Sequence, residues 1–435
     1  MDFLCSCGEQ SCWFSLSLVM IPMKKVSSTI LLIVLSIVSG SWVAADWPQF
    51  RGADRSGRSQ ETNLLQAWDG SGPEQAWISK DIGLGYAGPA IADGKIFILG
   101  TQRGDEYLYC LDEESGKILW STEIASLLKN NWGDGPRGTP AVDGDRVYAM
   151  SGQGTLVCAA VADGEVLWKK TMKSLGGKIQ KWGYTESVLV DGDLVLCTPG
   201  GNKGTMAALN KLTGKVVWQS KDWKENAQYA SIVPAEMHGV KQYVQLTQKQ
   251  LAGIAAKDGR LLWKADFRGG RTAVVPTPVV YDNRVYITAG YGAGCIQIEV
   301  SEDQSVSTNY SNKVMKNHHG GVIRVGDYIY GYSDAVGWVC QDWEAGDVVW
   351  AEKQKLGKGA IGYADGKLYC LEERSGKVVL IDASPNGWKE LGQITLSPQS
   401  ELRSAKGRVW THPVIANGKL YLRDQELFYC FDVSG

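Results

Sequence analysis

Apolar and polar positions alternate in short runs over most of this chain, and the runs are broken by pairs of turn-forming residues. The stretches "PAIADGKIFIL" (89–99), "PAVDGDRVYAM" (140–150), "SVLVDGDLVLC" (187–197), "PVVYDNRVYIT" (278–288), "GVIRVGDYIYG" (321–331), "GYADGKLYC" (362–370) and "PVIANGKLYLR" (413–423) share one design. Period-two alternation predicts half-buried strands, and Asp-Gly or Asn-Gly supplies the positive φ angles of a tight hairpin. A diverged copy occupies 230–250, which makes eight units. A second motif follows most of these hairpins: "LDEESGKILW" to Trp120, "AAVADGEVLW" to Trp168, "LNKLTGKVVW" to Trp218, "IAAKDGRLLW" to Trp263 and "QDWEAGDVVW" to Trp350. The tryptophans are 48, 50, 45 and 87 residues apart, the last interval being two periods with one Trp missing. A period in the forties built of short strands predicts β-propeller blades.

The C-terminal "GKLYLRDQELFYCFDV" (418–433) lacks an outermost strand, whereas "PEQAWISKDI" (73–82) resembles one with no blade before it. Pairing the two would close the ring and remove its exposed edge. The expectation is an all-β fold: one eight-bladed β-propeller of four-stranded antiparallel blades over 73–435, closed by an N-terminal strand, with 46–72 as a cap segment.

Composition agrees with many strands and tight turns: 52 Gly, 17 Trp and 18 Tyr. A formal net charge of −2 and the lack of a basic block argue against nucleic acid as a partner. Lys24 and Lys25 precede the apolar run "TILLIVLSIV" (29–38), and Val43 and Ala45 offer small residues for cleavage, so 1–45 reads as an export signal. An uncleaved anchor is the alternative, because 26–45 is just long enough to span a bilayer. Residues 1–22 sit awkwardly ahead of such a signal, which suggests a start at Met20 or Met23. The mature chain is expected in the periplasm or cell envelope, as a monomer that is not inserted in the membrane. Its seven cysteines form no C-x-x-C pair. Cys110, Cys158, Cys340 and Cys430 occupy one repeated position, where cysteine acts as a small buried hydrophobe.

The endings "SGKILW", "TGKVVW" and "DGRLLW" resemble the tryptophan-docking motif of the pyrroloquinoline-quinone (PQQ) repeat superfamily, and "DWPQFRGADRSGRS" (46–59) is similar to the opening of many quinoprotein dehydrogenases and their relatives. The resemblance covers nearly the whole mature chain. It implies either a quinone-dependent alcohol or sugar dehydrogenase or a propeller without cofactor, such as the assembly lipoprotein BamB. Departures run both ways. The chain has no vicinal cysteine pair and no matching calcium triad, as the dehydrogenases have, and no lipobox cysteine, as BamB has.

In a propeller, the loop leading into each blade's first strand opens on the face where ligands bind. Aligned there, Tyr86, Arg137, Tyr184, Glu186, Tyr229, His318, His319, Lys358, Trp410 and His412 converge on one mouth, joined by Asn202, Lys203, Ser333, Asp334, Arg423 and Asp424 from loops after the second strands. Charges would orient a polar ligand and rings would cover its faces. No metal site is expected: His318 and His319 are adjacent, and on an extended chain they would point oppositely. "GDGPRG" (133–138) leads into a strand, not a helix, and the "DGD" triplets at 143–145 and 191–193 are hairpin turns, so neither a dinucleotide fingerprint nor a calcium loop is read from them.

Two functions follow. One is an exported binding or assembly module resembling BamB, whose partner is an envelope protein or a small polar or carbohydrate ligand. The other is an oxidoreductase of alcohols or sugars that uses PQQ with calcium. There Arg137 and Lys358 would hold the quinone carboxylates, Tyr184, His318, Trp410 and His412 would complete the binding set, and His319 or Asp334 would take the substrate proton. Glu186 joins the catalytic candidates, since a lyase or hydrolase could use a His, Glu and Arg mouth.

Overall fold

In the hairpins, Asp93, Asp365 and Asn417 adopt φ of 50°, 47° and 54°, and the glycines that follow adopt 70°, 74° and 69°. Two successive positive φ values match the right-handed twist of the strands they join, which is why these dipeptides sit there. The computed structural model describes residues 46–435 apart from residue 271, and the export signal expected at 1–45 lies outside the described residues. The strands form eight four-stranded antiparallel sheets. Seven are continuous in sequence: blades 1 to 7 span 90–126, 141–171, 189–219, 233–266, 279–312, 322–352 and 359–395. Blade 8 joins Val414–Ala416, Lys419–Asp424 and Leu427–Asp432 to Gln75–Ser79 as its outermost strand, so the ring closes by pairing the two ends of the propeller.

The blades are held together by the repeated tryptophan. Trp120 donates to the Val161 carbonyl at 3.1 Å, Trp168 to Lys211 at 3.0 Å, Trp218 to Ala256 at 3.1 Å, and the closing Trp77 to Glu113 at 3.1 Å. In each case the acceptor belongs to the turn of the next blade. The ring also covers that turn's glycine. A Cβ at Gly116 would come within 2.5 Å of the Trp77 ring, and one at Gly214 within 2.7 Å of Trp168; both glycines have positive φ. The motif therefore needs glycine twice over, for backbone conformation and for contact.

Opposite each such tryptophan, the neighbouring strand places a small residue: Cys110, Cys158, Ala208, Gly253, Cys340 and Cys430. The cysteines among them are fully buried, as expected of small hydrophobes. In every blade the outer pairing shifts register by one residue immediately before this position. This bulge turns the ring inward and leaves Leu119, Leu167, Val217 and Val349 exposed on the outer edge.

Two blades lack the tryptophan. In blade 5, Tyr310 stands opposite Gln297 and lies 2.5 Å from where a Cβ on Gly346 would be. In blade 7 the outer position is Gly392, and Trp68 from the segment before the closing strand lies against it, 5.8 Å from the Tyr369 ring. Trp120 and Phe97, or Trp168 and Tyr148, are spaced almost identically, at 6.0 Å. Trp68 thus fills the vacancy from a distant part of the chain.

Candidate functional site

The axis of the propeller is occupied by the chain's own residues 46–59. Trp47 exchanges hydrogen bonds with Ile91 in blade 1, the Val142 N–H of blade 2 donates to the Pro48 carbonyl at 2.8 Å, and Ser59 donates to the Tyr363 carbonyl of blade 7 at 2.9 Å. Arg51 donates to the Val322 carbonyl of blade 6 at 2.9 Å. Arg55 reaches the carbonyls of Ser187, Val188 and Ile232, bridging blades 3 and 4. Burial depresses both guanidinium pKa values, to about 10 for Arg51 and about 9 for Arg55. These contacts lie on the first strands or the residues just ahead of them. The segment therefore forms a floor beneath the leading loops.

Above that floor lies a cavity of about 200 Å³. Trp47, Phe50 and Arg51 line its base, and its walls carry Tyr86, Trp132, Trp182, Tyr229, Tyr291, His318, His319, Trp410 and His412. The two adjacent imidazoles both face it. Their rings stack at 3.5 Å with an interplanar angle of 29°, because residues 317–320 are not a strand and the chain bends at 319–320. The extended-chain expectation that only one of them could join a shared site therefore does not hold. Tyr291 packs edge-on to His318 at 4.4 Å, and Trp410 lies 4.9 Å from His319 and 5.1 Å from Tyr86.

The histidines are held neutral. Burial, with the neighbouring imidazole and the Lys358 ammonium, lowers His318 to about 2; burial and Lys358 lower His319 to about 3; and burial lowers His412 to about 4. Lys358 donates to Asp334 at 2.6 Å and contacts His318 Nδ1 at 3.0 Å, while His412 Nε2 lies 2.8 Å from the His319 carbonyl. His318 Nε2 and His319 Nδ1 are buried without a hydrogen-bond partner.

One wall is a ring of hydroxyls. Thr139, Ser187, Ser231 and Thr277 each lie two residues before the first strand of their blade, all are buried, and all line the cavity. The Thr139 N–H donates to Ser187 Oγ at 2.8 Å, that of Ser187 to Ser231 Oγ at 3.0 Å, and that of Ser231 to Thr277 Oγ1 at 3.3 Å. Each oxygen so engaged keeps a proton to donate.

Of the sequence candidates, Arg137, His318, His319, Trp410 and His412 line the cavity together with Tyr86 and Tyr229. Lys358 and Asp334 stand behind His318 as an ion pair. Tyr184 is buried and donates to the Lys178 and Pro199 carbonyls, away from the cavity. Glu186 is also buried elsewhere, accepting from the Thr198 amide and hydroxyl and from Gln245, and burial raises its pKa to about 7. Arg423 and Asp424 are interior: Arg423 ties blade 8 to the Ala87 and Leu99 carbonyls of blade 1. Sequence reasoning missed Trp132, Trp182, the floor and the hydroxyl ring. The Trp-Gly pairs at 132–133 and 182–183, in equivalent loops, were the available signal.

These residues do not fit PQQ with calcium. Arg137 spends Nε and Nη2 on the Trp182 and Gly133 carbonyls, and Lys358 is paired with Asp334. Three quinone carboxylates would thus meet few free cations. Among the described residues, no group of three His, Cys, Asp or Glu is placed to hold a metal ion. The cavity is also smaller than the roughly 300–1,000 Å³ usual for cofactor pockets.

The protein family described as outer membrane protein assembly factor BamB matches residues 104–379. BamB of Yersinia pestis is 21% identical over 294 residues, which is 63% of this chain and 68% of that protein. BamB of Salmonella typhimurium is 32% identical over 134 residues, covering 31% of this chain and 28% of that protein. Among solved structures, BamB from Moraxella catarrhalis superposes with a TM-score of 0.58 at 15% identity, covering 82% of this chain and 97% of that one. The quinohemoprotein alcohol dehydrogenase of Comamonas testosteroni reaches 0.61 at 10% identity, covering 90% and 81%. At such identities the structural likeness speaks for the fold alone.

Proposed function

The chain belongs to the family of outer membrane protein assembly factor BamB, and on that premise we propose that it is a binding module of the cell envelope that holds a polar, ring-shaped ligand at the propeller axis. The observation that carries this reading is the state of the cavity's titratable groups. The three cavity imidazoles are neutral, Asp334 and Lys358 neutralise each other behind His318, the buried Glu186 is bonded to Thr198 away from the cavity, and Glu373, 4.0 Å from His319 Nδ1, accepts from the Trp410 indole behind the cavity wall. A general base needs a pKa near the working pH and a path to the ligand; burial raises Glu373, but it stands behind His319 and Trp410 and is not among the residues that line the cavity. Stacked aromatic faces with hydroxyl donors instead suit recognition of a ligand ring. The envelope location rests on the names of the BamB relatives and on the export signal read from the sequence.

The test is a titration of the purified protein followed by tryptophan fluorescence, using a saccharide panel and PQQ with calcium, alongside Trp410→Ala. We expect a saturable response to a saccharide that weakens about ten-fold or more in the variant. PQQ-dependent reduction of a dye by alcohols or sugars would overturn the reading.

A further inference from the structure

A second cavity, of about 790 Å³, opens beside the first, and Trp132 and Trp182 line both. Its character differs. Lys129, Lys181 and Lys406 line it against a single carboxylate, Asp134. The Lys181 ammonium lies 4.8 Å from the Trp182 ring centre and the Lys406 ammonium 5.6 Å from that of Trp132. All three lysines are exposed, and none forms a salt bridge among the described residues. The site thus passes from a narrow aromatic inner chamber, where the guanidiniums of Arg51 and Arg137 are tied to backbone carbonyls, to a wide outer basin in which ammonium groups sit over indole faces.

We propose that the two cavities form one site for an acidic oligosaccharide, with a sugar ring seated in the inner chamber and the carboxylated rings that follow lying in the outer basin. This rests on the axial-binding reading and adds the class of ligand. In the inner chamber, a pyranose would stack against rings such as Trp410 while its hydroxyls accept from Ser187, Ser231 and Thr277. The unpartnered His318 Nε2 and His319 Nδ1 offer further polar contacts there. In the basin, Trp132 and Trp182 would provide stacking faces, and the lysines would meet carboxylates at the solvent edge, where an ion pair costs little desolvation.

An extended acidic peptide fits less well. A peptide that adds as a strand pairs its backbone N–H and C=O groups with an open sheet edge. Here the N–H groups of Thr139, Ser187 and Ser231 are taken by neighbouring hydroxyls, and residues 47, 48 and 59 occupy the inner strands of blades 1, 2 and 7.

The experiment compares oligogalacturonate, a neutral cello-oligosaccharide of equal length and poly-glutamate in calorimetric titrations of the full protein, with Lys181→Ala/Lys406→Ala as the variant. Both lysines are exposed, so the variant is expected to keep the parent's circular dichroism and melting temperature. Oligogalacturonate should bind about ten-fold tighter than the neutral chain at low salt. That margin should vanish in the variant and shrink as ionic strength rises. Equal affinity for acidic and neutral chains would overturn the acidic assignment and leave the axial-binding reading standing. Poly-glutamate binding as tightly as oligogalacturonate would overturn the saccharide assignment. Failure of every saccharide to bind would overturn both readings.

Discussion

Arg55 carries a positive charge into the propeller axis with no carboxylate bonded to it. Its guanidinium is satisfied by the carbonyls of Ser187, Val188 and Ile232, groups 132 to 177 residues away in sequence. Removing it would leave those carbonyls buried and unpaired. We expect Arg55→Met to lower stability by about 3–5 kcal/mol, seen as a lower urea midpoint with an unchanged slope. An unchanged midpoint would mean that the Arg55 bridge between blades 3 and 4 is dispensable. At this scale the sequence was legible where a residue acts through its own local chemistry: the turn dipeptides and the buried cysteines fell where their types predicted. Arg55, Glu186 and Tyr184 were not legible, because an arginine used to bind carbonyls reads the same in sequence as one used to bind a ligand.

At the scale of elements, the outer edge of most blades does three things within five residues. Glycine makes the turn, a bulged residue twists the edge, and an aromatic ring reaches the next blade's turn. We expect Trp168→Ala to cost about 3–5 kcal/mol, since it empties the space over Gly214 and leaves the Lys211 carbonyl to the Tyr148 hydroxyl alone. Tyr310→Ala should act in the same direction, by about 2–4 kcal/mol. Thermal melts of the two variants check this, and a neutral Tyr310→Ala would show that blade 5 does without a docking ring. The missing tryptophan of blade 5 was visible as a gap in spacing. Its replacement by Tyr310, and that of blade 7 by Trp68, were not, since Trp68 comes from outside the repeat.

For the whole molecule, the axis couples stability to pH. Unfolded histidines titrate near ~6.5, whereas His318, His319 and His412 do so at about 2, 3 and 4 in the folded protein. Between these limits the unfolded chain binds more protons, so this stability is full above about pH 6.5 and is lost as the pH falls. Glu186 works in the opposite sense. Its folded value of about 7 lies above the unfolded ~4.3, so its contribution declines as pH rises through that window. Glu106, Glu373, Glu61 and Asp46, also raised by burial, act in the same sense as Glu186, and the deeper depression of the three histidines is expected to outweigh them. The melting temperature should fall by several degrees from about pH 6.5 to about pH 4.5, and His412→Asn should flatten the slope. A melting temperature that rises on acidification would contradict this balance.

The repeat, the strand alternation and the turn residues determined the propeller, its eight blades and its closure by Gln75–Ser79, because each depends on local conformational preference and on a period written along the chain. Residue type and alignment to the leading loops also brought the histidines, Arg137 and Trp410 to one mouth. Only the tertiary structure decided what that mouth contains. The floor of residues 46–59, the hydroxyl ring and the neutral state of the imidazoles arise where eight blades and an N-terminal segment meet on one axis. Burial and partnership at such a junction depend on contacts between residues far apart in sequence, which no local pattern records.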